Sequence, residues 1–344
     1  MLGVGIIGCG AISKMHIASF QDIPDTEIRA VSSKSEKSAK ATGEELNVPW
    51  YTDYNELLKR DDIQVVSICT PSGLHGEAAI AAANAGKHVI VEKPLEVTLD
   101  KIDAIIDACK RNNVKLNCIF NNRYREGNQF LKKTIDSGRF GKLINANMSV
   151  RWYRAPEYYK GSSWHGNLAL DGGGALMNQS IHYIDLLLYF AGGVDSVSAY
   201  ANTLLHTYIE AEDTVVAACR FNNGALGTIL ATTSVYPGYP AVIQITGERG
   251  SASISDGTIL DWKFLDFDPL DEEAKQYLSG TVDNSRASDP MAFSHHYHYL
   301  QIKNAVNSIL NGTNPDIDGE EARKSVELIL RIYESARMNQ KKYQ

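Results

Sequence analysis

The first third of the chain alternates short apolar runs, rich in β-branched residues, with longer stretches of helical periodicity. The predicted strands cover residues 4–7, 28–32, 65–69, 88–91 and 116–120. The predicted helices between them cover residues 11–20, 35–46, 55–59, 76–85 and 99–112. The strand segments are apolar throughout, which is typical of a parallel sheet covered on both faces. This order of elements predicts an α/β domain with a doubly wound parallel sheet over residues 1–121.

The pattern changes after residue 122. The prediction there is a helix, a long strand and, after a region rich in glycine and aromatic residues, a second helix, at residues 127–137, 143–153 and 178–190. Strand-like runs then follow one another with only turn residues between them, at residues 197–204, 214–221, 226–233, 242–246 and 251–255. Consecutive strands without intervening helices predict a large, open and mainly antiparallel sheet. With two further helices at 296–310 and 320–338, we expect a second, α+β domain over residues 122–344.

Composition narrows the class of protein. The chain is 44% hydrophobic and 22% charged, with a formal net charge of −7, which fits a folded domain and disfavours binding to nucleic acid or to anionic membranes. No apolar run reaches the roughly 18 residues of a membrane span. The first residues lack the basic region and cleavage site of a secretory signal, so we expect a cytoplasmic protein. The five cysteines show no C-x-x-C spacing, and we expect buried free thiols.

A glycine-rich loop follows the first predicted strand. The sequence Gly8-Cys9-Gly10-Ala11-Ile12-Ser13 ends that strand and opens a helix, which is the context of a dinucleotide-binding fingerprint in a Rossmann domain. Gly8 would permit the tight turn, and Gly10 would let a pyrophosphate approach the backbone. Ala11 and Ile12 would supply N–H donors at the helix N-terminus. A structural turn is the alternative, but the position in a βαβ series favours cofactor binding.

The end of the second predicted strand bears on the choice of cofactor. An Asp or Glu there would hold the ribose 2′-hydroxyl of NAD, but the sequence has Ser33 and Lys34. A hydroxyl and a cation suit a 2′-phosphate, so the sequence favours NADP, with NAD as the alternative cofactor. A solvated helix start is the other interpretation, because Ser is also a good N-cap.

Two more motifs are more specific than the glycine loop. Two neighbouring strand ends carry Thr70-Pro71-Ser72-Gly73-Leu74-His75 and Glu92-Lys93-Pro94, and Gly172-Gly173-Gly174 leads into Asn178, His182 and Asp185. Over nearly the whole chain these motifs resemble the Gfo/Idh/MocA family, named for glucose–fructose oxidoreductase, inositol dehydrogenase and a rhizopine-catabolism protein. The resemblance implies an NAD(P)-dependent oxidoreductase acting on a secondary hydroxyl of a sugar, glycoside or inositol. It also implies a homodimer or homotetramer whose second domain binds substrate and mediates oligomerisation.

The resemblance assigns roles to the motif residues. Thr70, Pro71, His75, Glu92 and Lys93 are expected to contact the cofactor. Lys93 also stands where the end of a parallel strand meets the ligand crevice, and would polarise the substrate oxygen.

The remaining catalytic candidates follow the three glycines. Asn178, His182 and Asp185 are spaced i, i+4 and i+7, which would place them on one face of the predicted helix 178–190. By resemblance, His182 would be the general base and Asp185 would orient it or close the substrate site. Asn178 stands where many family members have Asp, so it would only hydrogen-bond a substrate hydroxyl. The three glycines would let the backbone lie against substrate or nicotinamide, with a flexible loop as the alternative.

Aromatic and basic residues between 152 and 164 suggest a sugar site. The substrate-binding candidates are Arg123, Trp152, Tyr153, Trp164, Asn178 and His182. Core packing explains about half of the aromatic residues equally well, and Arg123 and Arg154 suit surface or ion-pair positions. His295, His296 and His298 are spaced so that they diverge around a helix start, so we expect no metal site.

Two other functions fit the same residues less well. One is a glycosidase or lyase that keeps nicotinamide tightly bound and oxidises its substrate only transiently. The other is a non-catalytic sensor of sugars or nucleotides, and the presence of Lys93 and His182 argues against it.

Overall fold

The computed structural model describes residues 1–279 and 294–341, and the chain divides into two compact units. Among the described residues, the first unit contains 1–121 and 294–323, and the second contains 122–279 and 324–341.

The first unit is built on a six-stranded sheet in which every pair of neighbours is parallel. Its strands are β1 Leu2–Ile7, β2 Thr26–Ser32, β3 Trp50–Tyr51, β4 Val65–Ile68, β5 His88–Val91 and β6 Leu116–Cys118. The strand order is β3-β2-β1-β4-β5-β6. Helices span Ser13–Gln21, Glu36–Leu46, Tyr54–Leu58, His75–Asn84 and Leu99–Arg111. The central strands β1, β4 and β5 are almost wholly buried, which confirms the predicted doubly wound sheet.

The segment 294–323 belongs with this unit, although the sequence analysis assigned it to the second domain. Its helix, His296–Asn311, buries apolar side chains in one cluster with residues of β1 and the first helix, among them Val4, Ile6, Phe20, Ile302, Ala305 and Val306. The Gln301 amide also donates to the Cys118 carbonyl at 2.7 Å and accepts from the Phe120 N–H at 2.9 Å. An amphipathic pattern shows that a helix has a buried face but does not identify its partner, which is why the sequence missed this packing.

The second unit contains a seven-stranded mixed sheet. Its strands are β7 Leu143–Arg151, β8 Val194–Asn202, β9 Thr214–Phe221, β10 Leu226–Thr232, β11 Val242–Gly247, β12 Gly250–Ser255 and β13 Thr258–Phe264. The order is β13-β12-β11-β7-β10-β9-β8, and only β7 and β10 pair in parallel. The predicted open, mainly antiparallel sheet is therefore confirmed.

Several helices of this unit pack against the sheet. Among the described residues, the helices of the unit are Glu126–Asp136, Pro156–Lys160, Leu168–Asp171, Ile181–Ala191, Pro269–Ala274 and residues 324–341 of Gly319–Lys341. Ile181–Ala191 packs on β7 and β11, where Ala146, Met148 and Ile243 are buried. On other strands large apolar side chains alternate outward, and Tyr200, Val216 and Leu226 are about half exposed.

Two further expectations concern the chain as a whole. Four cysteines are buried and Cys9 is half-buried, and all five are free thiols, as predicted. In the described parts of the chain, no helix combines the length and apolarity needed to cross a membrane.

Candidate active site

The glycine loop after β1 combines a tight turn with an open surface. Gly8 has φ +96°, and a Cβ there would lie 2.6 Å from the backbone of Cys69, so glycine is required twice over. A Cβ on Gly10 would meet no described atom within 4 Å. The Ser13 hydroxyl donates to the Gly10 carbonyl at 2.7 Å and holds the loop in place. The loop thus leaves the backbone at Gly10 open to close approach, as a pyrophosphate requires.

The helix that follows the loop has the N-terminus of an anion site. Ser13–Gln21 starts after Ile12, and no side chain in the described residues caps it. The first N–H groups of a helix have no intrahelical acceptor, so here they suit an anionic ligand. This geometry fits the predicted role of Ala11 and Ile12.

Ser33 and Lys34 follow the end of β2, as the sequence predicts. The Lys34 side chain is exposed. The helix Glu36–Leu46 is capped by Ser35, whose hydroxyl accepts from Ser38 N–H at 3.3 Å. The N-cap interpretation therefore applies to Ser35, and the contact of Ser33 and Lys34 with a cofactor stays a prediction.

Three loops of the first unit follow adjacent strands. β4 lies between β1 and β5, so the glycine loop, Thr70-Pro71 and Lys93 all follow carboxyl ends of neighbouring parallel strands. In doubly wound sheets this edge, where the strand order reverses, is the ligand-binding edge. Lys93 is half-buried, and the Lys93–Pro94 peptide bond is cis.

Two residues predicted to bind the cofactor have hydrogen-bond partners inside the unit. The His75 ring is 1% exposed, with Nδ1 2.7 Å from the Pro94 carbonyl oxygen and Nε2 2.8 Å from that of Thr70. Glu92 is 5% exposed, and its carboxylate accepts from the Lys93 N–H at 3.0 Å. Both side chains contact backbone groups of the two strand-end loops, and their contact with the cofactor stays a prediction.

The histidines near residue 296 diverge. Nε2 of His295 lies 2.8 Å from Asp22 Oδ2 at the surface, whereas His298 is buried. His298 instead joins His16 and Glu92, and the ligating atoms of these three residues lie within 4.8 Å of one another. No local sequence pattern indicates this cluster.

In the second unit, the three glycines are explained by the protein's own packing. Gly172 has φ +78° and ends the short helix Leu168–Asp171. A Cβ on Gly173 would lie 2.1 Å from the Tyr333 hydroxyl, and one on Gly174 would lie 2.0 Å from the Glu212 carbonyl oxygen. The glycine run is therefore a tightly packed turn, which contradicts the flexible-loop alternative. Its contact with substrate or nicotinamide stays a prediction.

The helix that carries the candidate base starts later than predicted. Residues Ala175–Gln179 form a π-helical turn, and the α-helix begins at Ile181. Asn178 therefore lies outside this helix, and the predicted shared face of Asn178, His182 and Asp185 is wrong for Asn178. Both Asn178 N–H and Gln179 N–H reach the Gly174 carbonyl, at 3.1 and 3.3 Å. His182 is half-buried in the first turn of the helix.

Asp185 forms a buried ion pair. Its carboxylate accepts from Arg123 Nε at 2.7 Å and from Arg123 Nη2 at 2.6 Å, a two-point geometry that fixes both side chains. The Arg123 guanidinium also lies over the Tyr189 ring, 4.6 Å from its centre. The ion-pair interpretation of Arg123 is thus correct, and the orienting role of Asp185 toward His182 stays a prediction.

A polar network around Asn178 was missed by the sequence analysis. The Asn178 amide donates to the buried carboxylate of Asp171 and accepts from Gln179 Nε2 at 2.6 Å. Gln179 in turn accepts from Arg154 Nε at 2.8 Å and donates to the Tyr158 hydroxyl at 2.7 Å. An acidic residue directly before three glycines was the available signal. Asp171 places a carboxylate beside Asn178.

The aromatic candidates divide between core and surface. Trp152 is buried with its ring edge-on to Tyr183 at 5.7 Å, so it is a core residue. Tyr153 is half-buried and meets Tyr236 edge-on at 5.3 Å. Trp164 is half-buried against His165, with the ring centres 4.2 Å apart. Substrate contact therefore stays a prediction for Tyr153 and Trp164, and core packing accounts for Trp152.

Comparison with known proteins agrees with these features. Residues 2–120 match the family model described as "Oxidoreductase family, NAD-binding Rossmann fold", and residues 128–253 match "GFO/IDH/MocA C-terminal domain". The chain is 28% identical over 331 residues to myo-inositol 2-dehydrogenase of Thermotoga maritima, covering 94% of this chain and 92% of that protein. It is 29% identical over 285 residues to levoglucosan dehydrogenase of Pseudarthrobacter phenanthrenivorans, covering 73% and 72%.

A solved structure is more similar still. The WlbA dehydrogenase from Bordetella pertussis, in complex with NADH and UDP-GlcNAcA, is 34% identical to this chain with a TM-score of 0.90. The match covers 98% of this chain and 96% of that one.

Proposed function

The chain belongs to the Gfo/Idh/MocA family of oxidoreductases with an NAD-binding Rossmann fold, and from this premise we propose that it is an NAD(P)-dependent dehydrogenase of a sugar derivative or cyclic polyol. The observation that carries the proposal is the position of three loops, which follow the carboxyl ends of β1, β4 and β5. It brings an open glycine loop, an uncapped helix N-terminus and Lys93 to one edge of a parallel sheet. Such an edge is where doubly wound sheets bind nucleotide ligands.

The proposed cofactor site uses residues of the first unit. Gly8, Gly10, Ala11 and Ile12 would hold the pyrophosphate, and Thr70, Pro71 and Lys93 would flank the nicotinamide half. When bound, the nicotinamide would supply the hydride-transfer chemistry at the substrate carbon. Ser33 and Lys34 would meet the 2′ position of the adenosine ribose, where we propose a preference for the phosphate of NADP. The NADH bound in the 34% identical WlbA structure makes NAD the competing cofactor.

The proposed chemistry needs a base and an electrophile at the reacting oxygen. His182 takes the hydroxyl proton as general base, the role that imidazole side chains most often fill in enzymes. Lys93 donates a hydrogen bond to the same oxygen and stabilises its developing negative charge. Asn178, held by Asp171, hydrogen-bonds a second substrate hydroxyl. Asp185 fixes the first turns of the helix that carries His182 through its ion pair with Arg123.

We place a UDP-linked hexuronic acid first among the candidate substrates. The chain is 34% identical over 98% of its length to a dehydrogenase solved with UDP-GlcNAcA, against 28% for the inositol dehydrogenase. Free inositols and anhydrosugars follow, because relatives named for them also match the chain.

A homodimer or homotetramer completes the proposal. On the outer face of the seven-stranded sheet, Tyr200 lies opposite Val216 and Leu226 opposite Arg220, and the three apolar side chains are about half exposed. A broad face of this kind suits a second copy of the chain. Sedimentation velocity should give a species of twice or four times 37.9 kDa, and a single 37.9 kDa species would contradict the assembly.

The direct test of activity is a substrate panel. UDP-sugars, inositols and anhydrosugars should be assayed with NAD and with NADP while absorbance at 340 nm is followed. A rise with one of them supports the dehydrogenase. Product formation without a net change at 340 nm would favour the glycosidase or lyase that oxidises only transiently.

A further inference from the structure

Buried side chains lie within hydrogen-bond distance of the backbone on both sides of Lys93. Before it, the Lys93 N–H donates to Glu92 Oε2 at 3.0 Å. After it, the Pro94 carbonyl oxygen lies 2.7 Å from Nδ1 of the buried His75. The other His75 nitrogen lies 2.8 Å from the Thr70 carbonyl oxygen. Because both partners are acceptors, His75 donates to at least one of them in any protonation state.

The Glu92 carboxylate is itself held by two more histidines. Its Oε1 lies 2.9 Å from Nε2 of His16 and 3.3 Å from Nε2 of His298, and all three side chains are buried. Burial alone would raise the pKa of Glu92, but hydrogen bonds from His16 and His298 hold it well below its usual range. Glu92 is therefore a carboxylate whose oxygens accept from these rings and from the Lys93 backbone.

The two rings are fixed at their other ends as well. Nδ1 of His16 lies 2.7 Å from the Ser67 hydroxyl oxygen on β4. Nδ1 of His298 accepts from the Asn121 amide at 2.9 Å. Each ring therefore has a partner at both nitrogens, so neither can turn without breaking a buried hydrogen bond.

We propose that His16, His298 and His75 are positioning residues that hold the segment Glu92–Pro94 and thereby aim the side chain of Lys93. The inference rests on the proposed function, in which Lys93 meets the reacting oxygen. A lysine side chain is long and flexible, so its ammonium group can be placed accurately only if its backbone is fixed. Three buried rings supply that fixation. One of them, His298, comes from the distal segment 294–323, which the sequence analysis did not connect with catalysis.

A metal ion is the competing explanation of the His16–Glu92–His298 cluster, because these three residues could supply three ligands. Protons on the two Nε2 atoms let both rings donate to Glu92 without a metal ion, and the opposite nitrogens have the Ser67 hydroxyl and the Asn121 amide as partners. The two explanations differ in a measurable quantity, the metal content of the purified protein.

The experiment compares His298→Leu, which removes the donor to Glu92, with His298→Gln, which keeps an N–H donor. His88→Gln is the matched control, because His88 starts the same strand β5 and accepts from Lys115 N–H at 2.9 Å, at the end away from Lys93. Hydrogen–deuterium exchange of the peptide 89–97 reports the Lys93 amide without any need for activity. Steady-state kinetics and their pH profile report whether the Lys93 ammonium group is correctly positioned.

His298→Leu should speed exchange of the Lys93 amide. It should also lower kcat about 10- to 100-fold with little change in the KM for cofactor, since a misplacement of about 1 Å at a reacting group can have that effect. The alkaline limb of the pH profile should shift with it. His298→Gln should restore most of the slow exchange and most of kcat. His88→Gln should leave both quantities unchanged.

Three results would overturn the inference. They are unchanged exchange in His298→Leu, equal losses in His298→Leu and His298→Gln, and a stoichiometric metal ion in the wild-type protein. If exchange responds as expected while the wild-type protein oxidises no substrate, the anchoring of Lys93 is supported and the proposed function is the part that fails.

Discussion

The glycine loop of the first unit and the glycine turn of the second unit are similar in sequence but differ in what surrounds them. At Gly10 a Cβ would meet no described atom within 4 Å, whereas at Gly174 it would meet the Glu212 backbone at 2.0 Å. The first loop leaves room for a ligand, whereas the turn fills its space with the protein itself. Glycine-rich segments therefore have to be interpreted by the atoms that a Cβ would contact at each glycine. Composition alone does not distinguish a ligand-binding loop from a packed turn.

The largest expected loss of activity follows from substitution of Lys93 in the first unit. Lys93→Met keeps the length of the side chain and removes its donor, so kcat/KM should fall about 10³-fold, the upper range for loss of a group that stabilises an oxyanion. Cofactor affinity, measured by fluorescence titration, should change much less. Lys87→Met, near the start of β5, is the control and should leave kcat/KM unchanged. Near-normal turnover in Lys93→Met would remove Lys93 from the mechanism.

The second prediction contrasts the two glycine segments directly. Gly174→Ala should reduce the free energy of unfolding by about 1–3 kcal/mol, because overpacking against a backbone atom forces the turn to shift. Gly10→Ala should change that free energy by less than about 0.5 kcal/mol, as substitutions with open space around them usually do. It should nevertheless weaken cofactor binding, because a methyl group would occupy the proposed approach to the pyrophosphate.

Denaturant unfolding and cofactor titration of both variants check this contrast. If Gly10→Ala unfolds as easily as Gly174→Ala, or binds cofactor like the wild type, the distinction between the two segments is lost.

The third prediction uses the histidine cluster of the first unit. Burial alone would lower the pKa of His16, but the neighbouring Cys69 and Glu92 raise it to about 10, against a usual value of about 6.5. The folded state therefore retains a proton that the unfolded chain loses between these values. The stabilisation is fully present below pH 6.5 and decreases as the pH rises toward 10, by up to about 1.4 kcal/mol per pH unit.

Unfolding free energies at pH 7 and pH 9 test this for wild type and His16→Gln. The difference between the two proteins should shrink as the pH rises. A difference that is constant across this range would show that His16 gains no proton on folding.

The smallest expected effect concerns the cofactor's 2′ position. Lys34→Glu should shift the ratio of kcat/KM for NADP over NAD toward NAD by about tenfold, which corresponds to about 1.4 kcal/mol. Lys37→Glu, one helical turn further on, is the matched charge control and should shift the ratio less. An unchanged ratio in Lys34→Glu would place the cofactor's 2′ group elsewhere.

The sequence predicts the positions of candidate site residues well where these residues follow regular strands. Strand periodicity places the glycine loop and Lys93 at strand ends, and the structure has them there because the carboxyl ends of parallel strands share one edge. It was less informative where partners are distant along the chain. Glu92 and His298 are separated by 206 positions, and nothing in either local pattern indicates their contact.

The second unit shows another limit of the sequence. The sequence pattern predicts an α-helix from Asn178, but Ala175–Gln179 forms a π-helical turn and the α-helix begins at Ile181. The chemistry around Asn178 is set by side chains of Asp171, Gln179 and Arg154, which join across turns that have no period. Local pattern predicts regular elements well, and it does not predict polar networks assembled from irregular ones.

The most direct measurement is single-turnover oxidation of a UDP-linked hexuronic acid, with the inositol and anhydrosugar panel beside it, by wild type and His182→Ala at 340 nm. We expect rapid formation of reduced cofactor in the wild type with at least one substrate, and a loss of about 10²–10⁴-fold in the rate for His182→Ala, the usual contribution of a general base. Equal rates in the two proteins, or no reduced cofactor with any substrate, would contradict it.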